Sequence, residues 1–210
     1  MTAWLDGLYS IPFGVRLLGL CLAFAGIALA ERWLRQGRAT RAQEYPFWLA
    51  SALAAGLLGS LVDLVTSHLS REYFVLGKGL PEASASAVAS LGFEAGVVAG
   101  AVVGGLLLWA DNPRPGRAQL GPWRLARELL WPLGLALALA PVGALLGWLL
   151  SGSFPADWRA SLGPAAPRFA LVWGAHAGVY LGALVGTLIG VVRVRRAGRL
   201  PQPIPGASVL

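Results

Sequence analysis

The sequence predicts an all-α integral membrane protein of about five transmembrane helices, and three observations carry that reading. The 210 residues are 56% hydrophobic and only 13% charged, where a soluble domain carries about a quarter charged residues. The apolar residues gather in runs of about 20, long enough for a helix to cross a ~30 Å hydrocarbon core. Most of the arginines lie between those runs rather than inside them.

The first run covers 11–30. Ala28-Leu29-Ala30 has the small-residue pattern of a signal-peptide cleavage site, but no positive segment precedes the run. Arg32, Arg35, Arg38 and Arg41 follow it at once, so it reads as a retained helix. Arg16, inside it, either snorkels to the outer surface or pairs with a carboxylate of the bundle. Further runs cover 47–70, 85–109, 129–151 and 168–192.

The basic residues in the successive segments after each run number 4, 2, 4, 2 and 4. Five spans with the N-terminus outside and the C-terminus in the cytoplasm satisfy the positive-inside rule at every loop, as expected of a multi-pass protein of a bacterial inner membrane. Residues 1–199 then form one transmembrane helical domain, and 200–210, with Pro201, Pro203 and Pro205, form a disordered tail. Trp48, Trp109, Trp123, Trp131, Trp148, Trp158 and Trp173 fall near span ends, where aromatic rings anchor at the headgroup level.

The net charge of +7 does not point to nucleic acid. Its arginines flank apolar runs, and no segment offers a water-exposed basic face. Cys21 is the only cysteine, which excludes an internal disulfide and a cysteine zinc site. It reads as a small apolar residue of the first span.

Glycines recur at a strict spacing of four in the third run, at Gly92, Gly96, Gly100 and Gly104. The fifth run repeats this at Gly174, Gly178, Gly182, Gly186 and Gly190. Each series lies on one helix face, where a bare backbone admits close approach by a partner. The sequence thus predicts that the third and fifth helices pack tightly, against each other or against a second subunit. Segments 92–106 and 174–188 are identical at nine of fifteen positions, offset by 82. This predicts an internal repeat of two helical hairpins, spans 2–3 and 4–5, with the first span an addition.

That alignment sets Glu94 beside His176 as equivalent positions. Each lies about eight residues into its span, roughly 12 Å below the outer surface at 1.5 Å per residue. Asp63 lies roughly 24 Å above the cytoplasmic end of the second span. Ionisable side chains within a bilayer face the bundle interior and mark ion or proton paths, so Asp63, Glu94 and His176 are expected to converge. Ser60, Asp63, Ser67 and Ser70 form a polar stripe with Thr66 beside it, and Ser86, Ser90 and Glu94 form a second. His68 and Glu72 stand as an i,i+4 pair near the outer mouth with Tyr73, and Tyr180 sits one turn after His176.

Imidazole with carboxylates is a workable ligand set for a divalent transition metal. The same groups make a proton relay, and the spacing decides between neither. Plainer roles stay open: Glu94 bonding His176 to lock the bundle, His68 and Glu72 as an interfacial pair, and Asp63 clasped to Arg71 or to neighbouring hydroxyls. No helical His-Glu-x-x-His, nucleophile elbow or phosphate-cradling loop occurs.

The stretch Asp63-x-Val65-Thr66-x-x-x-Ser70-x-Glu72-Tyr73-Phe74 resembles a signature of small polytopic bacterial membrane proteins of unassigned function. Their last span carries a pattern similar to His176-x-x-x-Tyr180-x-Gly182. The resemblance implies that Asp63, Thr66, Ser70, Glu72, Tyr73, His176 and Tyr180 belong to one site. It supplies no substrate.

The expected function is transport or a channel, with a cation or proton site at Asp63, Glu94 and His176 opening outward past Glu72 and His68. Two alternatives stand beside it: a membrane-embedded metal-dependent enzyme acting on lipid or quinone, and a structural subunit of a homo-oligomer or larger complex.

Overall fold

Apolar helices without a water-soluble face must pack on one another or on lipid, and the long helices of this chain pack in pairs. The computed structural model describes residues 13–34, 44–112 and 118–198. The described residues form α1 (Phe13–Leu34), α2 (Glu44–Leu69), α3 (Ala85–Asp111), α4 (Pro122–Glu128), α5 (Leu130–Leu149), α6 (Ala156–Leu162) and α7 (Ala166–Ala197), with no strand. A five-residue π-turn, Tyr73–Gly77, follows α2. The protein is an all-α membrane protein, and four of its helical stretches are long and apolar enough to cross a bilayer: Glu44–Leu69, Ala85–Asp111, Pro122–Leu149 and Ala156–Ala197. The first expected span is helical as α1 but carries only a shorter apolar stretch, Leu17–Ile27, and is not among the four. The tail at 200–210 and residues 35–43 and 113–117, with Arg35, Arg38, Arg41, Arg114 and Arg117, lie outside the described residues.

Two hairpins make up the bundle, α2 with α3 and α5 with α7. Both are zipped by glycine. A Cβ on Gly59 or on Gly92 would overlap the other's carbonyl, and Gly96 and Gly100 meet the α2 backbone at Ala55 and Ser51. In the second hairpin Gly143 and Gly174 face each other in the same way, and Gly178, Gly182 and Gly186 meet the α5 backbone at Leu139, Leu135 and Pro132. The ladders therefore pack within their own hairpins, a correction to the expectation that the third and fifth helices meet through them. The physical reason is that the neighbouring helix of the same hairpin already fills each bare face by backbone-to-backbone van der Waals contact. Gly190 departs from the pattern, and its missing side chain leaves room for Leu107 of α3. Between the two hairpins the ladder contacts correspond at an offset of 82 and their partner positions at 84.

Polar bonds reinforce the first hairpin. Ser60 Oγ donates to the Ala89 carbonyl at 2.8 Å and Trp48 Nε1 to that of Ala101 at 2.9 Å. Trp48 thus ties α2 to α3, whereas Trp109, Trp123, Trp148, Trp158 and Trp173 remain exposed near helix ends.

The hairpins meet chiefly along α3 and α7 and are clamped at both ends. At the arginine-rich end Phe47, Leu107, Leu125, Leu129 and Val194 form one core. Arg193 braces it from outside, donating from Nε to Glu128 Oε2 at 2.7 Å. At the far end Tyr73, Phe74, Val88, Phe169 and Val172 form the other. A groove remains between the two clamps.

Candidate functional site

The site is set where α2 breaks. Thr66 spends its hydroxyl on the Val62 carbonyl at 2.8 Å, a local back-bond that competes with regular helix continuation. Helix α2 ends at Leu69. Ser70, 2% exposed, then donates its hydroxyl to Glu72 Oε2 at 3.0 Å and accepts from the Tyr73 amide at 3.4 Å. This turns Tyr73 and Phe74 back into the bundle. The π-turn closes with Lys78 N–H on the Tyr73 carbonyl at 3.0 Å, and Gly79 at φ +69° takes the left-handed conformation that reverses the chain.

The buried centre is a carboxylate–imidazole pair. His176 Nε2 lies 2.8 Å from Asp63 Oδ1, with side chains 7% and 9% exposed respectively. His176 Nδ1 lies 2.9 Å from the Val172 carbonyl. A carbonyl only accepts, so the tautomer that satisfies this contact carries its proton on Nδ1 and leaves Nε2 facing Asp63 Oδ1. Gly92 makes this possible, since it leaves the Asp63 Cβ room that a side chain would fill.

Aromatic rings cover the pair on the far side. Tyr73 stacks on His176 with centroids 4.8 Å apart, and Phe74 meets it edge-on at 6.2 Å. Phe169 packs on Tyr73 at 5.4 Å. Burial above all, with Tyr180 and Asp63 nearby, pushes the Tyr73 phenol above its ordinary 10.0, so it stays neutral. The rings of Tyr73 and Phe74 thus lie over the pair on the side where an opening past Glu72 and His68 was expected. The pair faces the groove between the hairpins, a space of about 120 Å³ in which Asp63, His176, Tyr180 and Lys78 are joined by glycine, alanine and aliphatic side chains.

The remaining sequence candidates separate. Glu94 does not join the pair: among the described residues it bonds Ser90 Oγ at 3.4 Å. Gly92 faces α2, and a helix turns about 200° over two residues at 3.6 per turn, which carries Glu94 off the hairpin interface. His68 is exposed and makes no bond to Glu72, because the break at Ser70 destroys the helical phase an i,i+4 pair needs. Ser67 bonds back to the Leu64 carbonyl at 2.7 Å. Glu72 is held below its ordinary 4.5 by its own backbone amide first, then by the Ser70 hydroxyl and the charges of Arg168 and Arg71, against partial burial.

The expected metal set of Asp63, Glu94 and His176 is not assembled. Among the described residues no three His, Cys, Asp or Glu side chains gather as a metal site, and the two that meet are bonded to each other. Sequence reasoning also missed Phe74 as part of the cover, although the signature contained it. No family model, no curated protein and no solved structure matches the chain.

Proposed function

We propose that this chain is a proton-linked transport protein of a bacterial inner membrane, with Asp63 and His176 as a one-proton site. The observation that supports it most is the 2.8 Å bond between these two buried residues, one from each hairpin. Asp63 with neutral His176 holds no proton on the bond, and one added proton makes either an ion pair or two neutral groups. Parting the hairpins from the ion pair would strand two charges in an apolar interior, which is expensive. Separation therefore proceeds from the neutral pair, which only the added proton can form, and movement and protonation are linked.

In this reading the arginine-rich end is cytoplasmic and the aromatic cover lies outward. Helix α1 supplies a fifth span. The clamps at both ends hold the hairpins, and the gap between them is where they shift.

The test is proton flux into liposomes carrying the purified protein under an imposed potential. Asp63→Asn preserves size and a hydrogen bond to His176 but cannot exchange the proton, and it is expected to reduce flux to the protein-free background. Flux equal to wild type would overturn the proposal.

A second reading draws on the groove, whose apolar lining suits a membrane-embedded enzyme acting on a lipid or quinone. The subunit reading would have to rest on faces other than the glycine ladders, which are occupied within the hairpins.

A further inference from the structure

The groove between the hairpins runs along α3 from Leu91 to Val103. At 1.5 Å per residue this is roughly 18 Å, more than half of a ~30 Å hydrocarbon core. Its flanks are small: Ala95, Ala99 and Ala136 line it, and the first two are exposed, so the groove reaches the surface that lipid covers. Larger side chains at these positions would close the space by ordinary packing.

One end of this slot is polar and unsatisfied. Asp63 lines it with a side chain 9% exposed, and Oδ1 is taken by His176. Among the described residues no group donates to Oδ2. A buried carboxylate oxygen without a donor is costly, so an occupant with a donor head is favoured there. The charges narrow the choice. Lys78 shares the polar end and disfavours a cationic head, while the carboxylate repels an anionic one. A neutral hydroxyl satisfies both.

We infer that the groove binds one long-chain neutral lipid alcohol or phenol, its tail along α3 and its hydroxyl donating to Asp63 Oδ2. This deepens the proton reading, because it uses the same carboxylate and names the class of molecule held beside it.

The experiment uses the full chain in nanodiscs with a diazirine-bearing long-chain alcohol, cross-linked by light and mapped by peptide mass spectrometry. Labels are expected near Ala95, Ala99 and Ala136, competed by dodecanol and not by dodecane or dodecyltrimethylammonium. Ala99→Phe, and independently Ala95→Leu, should fill the slot and remove these labels. Asp63→Leu should abolish the preference of alcohol over alkane. Labels spread evenly over the lipid-facing helices, labels undiminished in both filled variants, or equal competition by dodecane would each overturn the inference. Labelling requires no flux: protein that labels as expected but carries no protons sinks the transport reading alone, and the converse sinks this one alone.

Discussion

His176 Nε2 and Asp63 Oδ1, 113 residues apart in sequence, meet at 2.8 Å across the interface of the two hairpins. The Val172 carbonyl fixes the imidazole from its other nitrogen at 2.9 Å, and Tyr73 fixes its plane by stacking. The ring is thus held on three sides and has one exchangeable partner.

Such a pair is a unit, and its removal is expected to be non-additive. Breaking a buried pair by deleting one partner costs about 3–5 kcal/mol, because the other group is left buried and uncompensated. His176→Ala and Asp63→Leu should each destabilise the bundle in that range. The double variant Asp63→Leu/His176→Leu should lose clearly less than the sum. Unfolding in mixed micelles measures this, and strictly additive losses would mean that the two groups are solvated separately.

Much of the architecture was legible because it is written in local periodicity. The helices α2, α3, α5 and α7 lie close to the expected runs, and the ladder at Gly92–Gly104 marks a contact face. What the ladders touch was not legible, since a bare helix face admits any backbone and the partner faces carry only two contacting glycines each, Gly56 and Gly59 on α2 and Gly143 and Gly147 on α5. Asp63 and His176 were expected to converge and they meet, but Glu94 was grouped with them as well. Aligned positions in two similar hairpins play equivalent parts in each. They touch only where the packing brings both to the same interface, and His176 instead meets Asp63. The aromatic cover depends on the π-turn after Ser70, which no period of 3.6 announces.

The glycine contacts predict opposite outcomes for one chemical change in the same helix, α5. Gly134 has nothing within 4 Å of an added Cβ, while at Gly143 a Cβ would overlap the Gly174 carbonyl. Gly134→Ala is expected to stabilise by up to about 1 kcal/mol through helix propensity. Gly143→Ala should destabilise by about 1–3 kcal/mol, the usual range for overpacking, by forcing α5 from α7. Thermal midpoints of the two variants check the signs, and equal midpoints would show that this zipper does not hold the hairpin.

Glu72 predicts an acid-side dependence. Its carboxyl titrates below the ordinary 4.5 in the folded chain, through its own amide, Ser70, Arg168 and Arg71. A depressed folded value means that the stabilisation is present above the unfolded value and is lost as pH falls through the folded one. The difference in thermal midpoint between wild type and Glu72→Gln should therefore be constant near neutrality and shrink below about pH 4.5. A difference independent of pH down to 3, on the order of a unit below that value, would remove the charge from the account.

Glu94 is expected to be dispensable to the pair. Its contact within the described residues is a 3.4 Å bond to Ser90 on its own helix, so Glu94→Gln should change stability by no more than about 0.5 kcal/mol. In the flux assay it should behave as wild type while Asp63→Asn does not. Loss of flux in Glu94→Gln with Asp63→Asn intact would move the proton path to α3 and away from the hairpin interface.

The aromatic cover can be read from the chain's two histidines. His68 is exposed, while His176 is 5% exposed beneath Tyr73 and Phe74. An imidazole-acylating reagent applied to reconstituted protein should modify His68 alone. Tyr73→Phe keeps the stacked ring and should leave His176 protected, since its protection comes from the ring's area and not from the hydroxyl. Tyr73→Ala removes the stack and should expose His176, with a loss of stability of about 3–5 kcal/mol typical of deleting a buried aromatic ring. Peptide mass spectrometry separates the two sites. Rapid modification of His176 in the wild type, undiminished when Ala99→Phe fills the groove, would mean that the reagent reaches the pair past the cover.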